Sequence, residues 1–360
     1  MRWTRRRFLT LAAGATASVA GRVARVRAAA PASGTAAIEA ALRAFVTQRA
    51  LVSDDPWVMM HVVLALGADA RGPAGSLLDA VTGQYVTKVE RGGRSYAGFP
   101  LNVEAHPNHF LEIMEAIPVP ATRRFDTKAG AVTLADLLAG AKALFSPTIQ
   151  GPELSWTLSV FTAALPPDGD RFSNADGQAF TVAALVETAA QAAEVGYADT
   201  VAAMRGTKPY GRSTLQTYAC NGTHVLYGLY DALRHGYEAK RLRERVRELT
   251  KASYFRLGAE VALIDRVLGG AGQQLNADAA KLQFLGHSIE NLRYAEHYGI
   301  YVPSVAERQQ LATAERQLAE VVQRIASVHD LDALASAVPR AYRILLGDAC
   351  HALHGLMEPA

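Results

Sequence analysis

Apolar residues recur at three- and four-residue spacing over 36–50, 56–66, 134–144, 180–204, 215–233, 239–268, 277–298, 305–328 and 331–356. Each run predicts an amphipathic or buried helix. Capping chemistry agrees at several starts: Ser53-Asp54-Asp55 precedes Pro56, Thr133 precedes Leu134, and Asn276 precedes an alanine-rich run. Alternation is rare; 85–89, followed by Gly92-Gly93, is the best strand pattern. The loops 91–107 and 166–177 are rich in Gly, Pro, Asn and Asp. No composition break divides the chain, so 36–360 reads as one mainly helical domain.

A shorter pattern lies on top of this periodicity. A histidine, or one tryptophan, is followed by apolar residues two and five positions later. It starts at His61, His109, Trp156, His224, His287 and His351, at intervals of 48, 47, 68, 63 and 64 residues. Those intervals suit helical hairpins with one inner and one outer helix each. At about 100° per residue the two apolar positions fall on one side of the helix and the histidine roughly opposite. Six such helices, apolar face outward, would turn six histidine-like positions toward a common centre. The expected fold is all-α, an α/α toroid of about six hairpins; a stacked α-solenoid with a groove is the alternative.

Charge changes the picture at the N-terminus. Thr4-Arg5-Arg6-Arg7-Phe8-Leu9-Thr10 and the apolar run to Ala20 resemble a twin-arginine export signal, which implies the twin-arginine export machinery as a partner. Residues 1–30 are therefore set apart from fold reasoning, and the mature chain is expected to be periplasmic or extracellular. Pro31 disfavours a cut directly after Ala30. Those 30 residues hold seven arginines and no acid, so the whole-chain charge of +3 becomes −4 without them. Nucleic-acid binding loses its main support. No later stretch has the ~18 uncharged apolar residues of a membrane span. The two cysteines, Cys220 and Cys350, are not a disulfide framework, although spacing leaves their pairing open.

The helical hairpins, together with Glu153-Leu-Ser-Trp156-Thr-Leu and Cys220-Asn-Gly-Thr-His224-Val-Leu-Tyr-Gly-Leu, resemble α/α toroids of the terpenoid cyclase and protein prenyltransferase class. They are especially similar to bacterial proteins with squalene-cyclase-like repeats. The Asp-x-Asp-Asp cyclase motif is lacking, so terpene cyclisation does not carry over. The Cys220 segment is also similar to the zinc-binding Cys-His-Gly of lanthionine cyclases, with Asn221 where that histidine would be.

Candidate chemistry follows the wheel. Cys220, His224, Tyr227 and Asp231 share one stripe, with Gly222 marking a start or kink. The next inner helix offers Gln283, His287, Glu290 and Tyr294, the last Asp348, His351 and His354, and the second His106, His109 and Glu112. Cys220, His224, His287 and His354 form a candidate zinc set, because zinc accepts S and N ligands tetrahedrally. Here Cys220 and His224 stand four apart on one helix face. His224, His287, His351 and His354, with Asp231, Glu290 and Asp348, are the candidate acid–base groups, the carboxylates also serving to orient imidazoles. Glu112 and Glu153 are further acids. The expected function is binding or conversion of a small molecule or saccharide in a His/Cys/carboxylate-lined pocket. The alternative is a non-catalytic scaffold or ligand-recognition module. Gly-x-Ser-x-Gly and phosphate-binding glycine motifs are lacking, and the charged helices at 240–256 and 305–325 are expected to be solvated outer helices.

Overall fold

The computed structural model describes residues 35–117, 119–270 and 272–357, the side chain of Leu101 apart; the export segment lies outside them. Among the described residues the chain is mainly helical, with strands confined to four two-stranded antiparallel hairpins.

Six helices are buried on nearly every side. They are α2 (Pro56–Leu66), α5 (His109–Ala116), α7 (Leu154–Ala164), α9 (His224–Arg234), α11 (Gln274–His297) and α14 (Pro339–Met357). In α9 every residue from His224 to Leu233 is buried, and in α14 every residue from Leu345 to Leu356. Each touches the next in chain order, and α14 returns to α2. A helix that is apolar all round must be covered all round, and a second set of helices covers these. They are α1 (Thr35–Phe45), α3 (Leu77–Tyr85), α6 (Leu134–Leu144), α8 (Val182–Met204), α10 (Leu242–Leu268) and α12 (Val305–Val328). In α12 only a stripe is buried: Leu311, Ala314, Leu318, Val321, Val322 and Ile325. Helix α3 packs on α2, α8 on α7, α10 on α9, α12 on α11, and α1 on α14. Short helices α4 (Leu101–Glu104) and α13 (Leu331–Ala337) complete the set.

Sequence signals fixed several boundaries. Asp55 caps α2 by accepting from the N–H groups of Trp57 and Val58. Thr133 and Asp136 form a capping box on α6, as do Ser304 and Glu307 on α12. Others differ from the apolar pattern. The run 331–356 breaks at Val338, because the residue before Pro339 is pushed out of the helical region. Asn276 lies inside α11, which starts at Gln274. Phe180 belongs to β8 (Ala179–Thr181), paired with β7 (Arg171–Ser173). The expected strand begins at Thr87, not Tyr85, which ends α3: β3 (Thr87–Arg91) pairs with β4 (Arg94–Gly98). Gly92 and Gly93 supply the two positive φ values of the tight connection. Shorter hairpins β1 (Arg71–Gly72)–β2 (Gly75–Ser76) and β5 (Arg124–Thr127)–β6 (Gly130–Thr133) lead into α3 and α6. Among the described residues no helix is long and apolar enough to cross a membrane.

Candidate functional site

All six register positions are buried, and their rings, together with that of His106, form a closed chain of contacts. Centroid distances are 4.8 Å for His61–His109, 5.0 Å for Trp156–His224, 4.8 Å for His224–His287, 4.1 Å for His287–His351 and 4.9 Å for His351–His61. His106, in the turn before α5, closes the remaining gap: it stacks on Trp156 at 3.9 Å and lies 6.1 Å from His109. Its Nδ1 is 3.1 Å from Glu153 Oε2. The residues two and five positions on, such as Leu226 and Leu229, are buried with the exception of half-buried Leu66, as apolar positions roughly opposite the histidine on the wheel should be.

Several of the imidazoles are anchored through Nδ1. His61 Nδ1 donates to the Trp57 carbonyl at 2.6 Å and His287 Nδ1 to the Gln283 carbonyl at 2.8 Å. A carbonyl only accepts, so these rings carry their proton on Nδ1 and keep a lone pair on Nε2. Glu290, 3% exposed, takes His351 Nδ1 at 2.8 Å on one oxygen and His354 Nδ1 at 2.7 Å on the other. Gly355 makes this possible: a Cβ there would lie 2.6 Å from Glu290 Cα, so only glycine lets α14 approach α11 so closely. Burial, followed by the neighbouring imidazoles, holds His61, His224 and His351 well below the usual histidine range; His109 is lowered by burial and then by His61 and His106. His287 is lowered by burial too. His61, His109, His224, His287 and His351 are thus held toward the neutral form. Nδ1 of His109 has no hydrogen-bond partner among the described residues.

Cys220 reaches the cluster by a different route from the expected one. It is not on a helix face with His224. Helix α9 starts at His224, and Cys220, Asn221 and Gly222 have φ of 47°, 55° and 71°. These left-handed residues turn the chain, which a helical wheel cannot represent. A Cβ on Gly222 would lie 2.4 Å from Leu215 Cδ1, so glycine is required for close packing as well as for φ. Thr223 Oγ1 donates to the Cys220 carbonyl at 2.7 Å, Asn221 Nδ2 to Gln283 Oε1 at 3.3 Å, and Asn291 Nδ2 to the Thr223 carbonyl at 2.6 Å. The turn is thereby fastened to α11. Upstream, Tyr210 and Gln216 both donate to buried Glu260, which pairs with Arg256 at 3.2 Å. Arg256, only 1% exposed, is an exception on a helix expected to be solvated.

One donor atom each from Cys220, His224 and His287 lies within 4.8 Å of the other two, the only such metal-spaced set among the described residues. A tetrahedral zinc with bonds of about 2.0–2.3 Å needs ligand–ligand edges of about 3.3–3.8 Å. The set therefore has to close by roughly 1 Å, within the reach of side-chain rotation. Burial, then the charges of Asp348, Glu153 and Glu290, push the Cys220 thiol up. A metal reverses this, because a coordinating thiol is deprotonated.

The other expected residues divide. His354 is tied to Glu290, outside the metal-spaced set. Asp348 is 3.9 Å from His287 Nδ1 and 3.5 Å from Gln283 Nε2, and burial raises it well above the usual carboxylate range. Asp231 orients no imidazole; it accepts from Tyr294 OH two turns further along the helix. Cys220 and Cys350 are separate free thiols. His61, His106 and His109 join the cluster although the candidate metal and acid–base sets left them out; the wheel had placed His106 and His109 on the second inner helix, and the six-fold register contained His61 and His109. No family profile, no curated protein and no solved structure matches the chain.

Proposed function

We propose that this chain is an exported α/α toroid with a zinc-type centre on its axis, acting on a small molecule by metal-assisted or acid–base chemistry. In this reading α2, α5, α7, α9, α11 and α14 are the inner helices, and α1 supplies the outer partner of α14. The observation that carries it is the convergence of Cys220, His224 and His287 beside imidazoles whose Nδ1 atoms are already held. Metal-ligating histidines characteristically donate their second nitrogen to a carbonyl or carboxylate. His287 and the Gln283 carbonyl have that form, and His351 and Glu290 have it next door. Three protein ligands leave a fourth position open, the arrangement of catalytic sites. When bound, the metal supplies Lewis acidity and a water of lowered pKa. This chain's own part is to hold the three donors, keep His351 neutral through burial, and place Asp348 within reach of His287. The left-handed turn at Cys220 fixes the thiol, and Asn221–Gln283 ties that turn to the helix that carries His287.

Elemental analysis of the protein purified by its own export route tests the reading. About one zinc per chain is expected, with none after Cys220→Ala; a wild-type chain that neither carries nor takes up zinc rejects it. The close packing of the imidazoles, at 4.1–5.1 Å between centroids, favours a second reading, a non-catalytic scaffold. That reading predicts no metal and stability that does not depend on Cys220.

A further inference from the structure

Below the imidazoles the register continues. Three residues past five of the six starts stand Glu112, Ser159, Tyr227, Glu290 and His354, with Leu64 at the first, and seven past His224 and His287 stand Asp231 and Tyr294. Glu112 is the anomaly. It is 5% exposed, yet its carboxyl makes no hydrogen bond or ion pair among the described residues. It faces a cavity of about 10 Å³ lined also by Tyr227, Asp231, Arg234, Tyr294 and Tyr298. That volume holds about one water-sized group. A carboxyl so enclosed, open only to this cavity, is costly unless something in the cavity completes it, so the question is what fits.

The surroundings are acidic and aromatic. Asp231 and Glu115 line the same cavity, and the charge of Glu290 on α11 acts on Glu112 from outside it. The one guanidinium is already engaged. Arg234 lies 4.2 Å over the Tyr298 ring, donates to Tyr294 OH at 3.0 Å and stands 3.6 Å from Glu115. The Tyr227 and Tyr294 rings lie 4.7 Å apart, tilted by 42°. A sugar ring is too large for the cavity, and these acids are not in the metal-spaced set. An alkylammonium head group has the size of a water, three N–H donors for carboxylate and phenol oxygens, and a charge that tyrosine rings attract.

We propose that this cavity binds the ammonium head of a primary alkylamine, held by Glu112 and Asp231, with the alkyl chain leaving past Ala116 and Tyr298. The site shares no residue with Cys220, His224 and His287, so it stands or falls independently of the zinc reading. Burial, and then the charges of Glu290 and Asp231, hold the Glu112 carboxyl well above its ordinary range. Amine binding therefore expels its proton: the amine enters as R–NH₃⁺, Glu112 ionises, and one H⁺ passes to the buffer. Arg234 opposes the incoming charge, whereas Asp231, Glu115 and Glu290 favour it; His235 stands at the rim beside Glu115. Binding tightens as pH rises, until the amine itself deprotonates near ~10.4.

Isothermal titration of the full chain with n-butylammonium chloride, 1-butanol and potassium chloride, in two buffers of different ionisation enthalpy, tests this. Expected are one saturable amine site, no response to the alcohol or salt, and about one proton released per amine bound. Glu112→Gln, checked for its fold by circular dichroism, should bind about tenfold or more weakly, since a hydrogen bond to a charged group is lost. Equal heats for amine and potassium, no proton release, or unchanged affinity in Glu112→Gln overturns the proposal. If Glu112→Gln does not fold, the wild-type comparison of amine with alcohol decides alone.

Discussion

Glu290→Gln is the most direct probe of the interior. The carboxylate serves two imidazoles at 2.8 and 2.7 Å from a site 3% exposed to solvent. Glutamine keeps the shape but has one acceptor oxygen, so its NH₂ must confront either His351 Nδ1 or His354 Nδ1. One charge-assisted hydrogen bond is lost, about 1.5–3 kcal/mol, and a buried donor is left unpaired, about 1–3 kcal/mol. Local relaxation, including a flip of the His354 ring, recovers part of this, so the net expectation is about 2–4 kcal/mol. At about 2 °C per kcal/mol for a chain of this size, Tm falls by about 4–8 °C. Urea denaturation followed by circular dichroism measures the loss, with Glu320→Gln, whose side chain is 63% exposed, as the control expected to change little. A Glu290→Gln protein as stable as the control would falsify the assignment of Glu290 as the bridge between α11 and α14.

Leu229→Ala, at a fully buried position on the opposite side of α9 from His224, should cost about 2–5 kcal/mol as a cavity mutation; equal melting temperatures would contradict the register. Burial lifts Glu104 to about 8, partly opposed by the N–H groups of Phe110 and Asn108. The unfolded chain ionises this acid first, so the stability it contributes is full below the ordinary glutamate range and is lost as pH rises toward about 8. Glu104→Gln should therefore gain on wild type between pH 5 and pH 8 by more than ~1 kcal/mol, and a pH-independent difference in denaturation midpoints would refute the shift. Arg5→Lys with Arg6→Lys should leave the protein in the cytoplasm, because lysine lacks the planar guanidinium a receptor can read; fractionation showing normal export would remove the twin-arginine proposal.

What the sequence disclosed depended on whether the physics was local. Pro56–Leu66, Leu134–Leu144 and Val305–Val328 were legible because their caps and periodicity lie within a dozen residues. The ring of histidine contacts was legible because a repeated helix register projects into space. The turn at Cys220 was not: three consecutive left-handed residues are selected by packing of Leu215 and by bonds to Gln283, whose partner lies 62 residues away. Arg256 read as a surface charge although Glu260 is its i,i+4 neighbour on α10; what encloses the pair is the loop that brings Tyr210 back onto that helix. His354 looked like a ligand by spacing, and Glu290 on a different helix claims it. The break before Pro339 had a local signal that the longer apolar run masked.

The central claim is that Cys220, His224 and His287 hold one metal. X-ray absorption at the zinc edge, on protein purified by its own export route, reads the ligand shell directly. One sulfur at about 2.3 Å and nitrogen or oxygen neighbours at about 2.0–2.1 Å are expected, with the sulfur shell gone in Cys220→Ser. A zinc bound without sulfur, or no zinc at all, contradicts it.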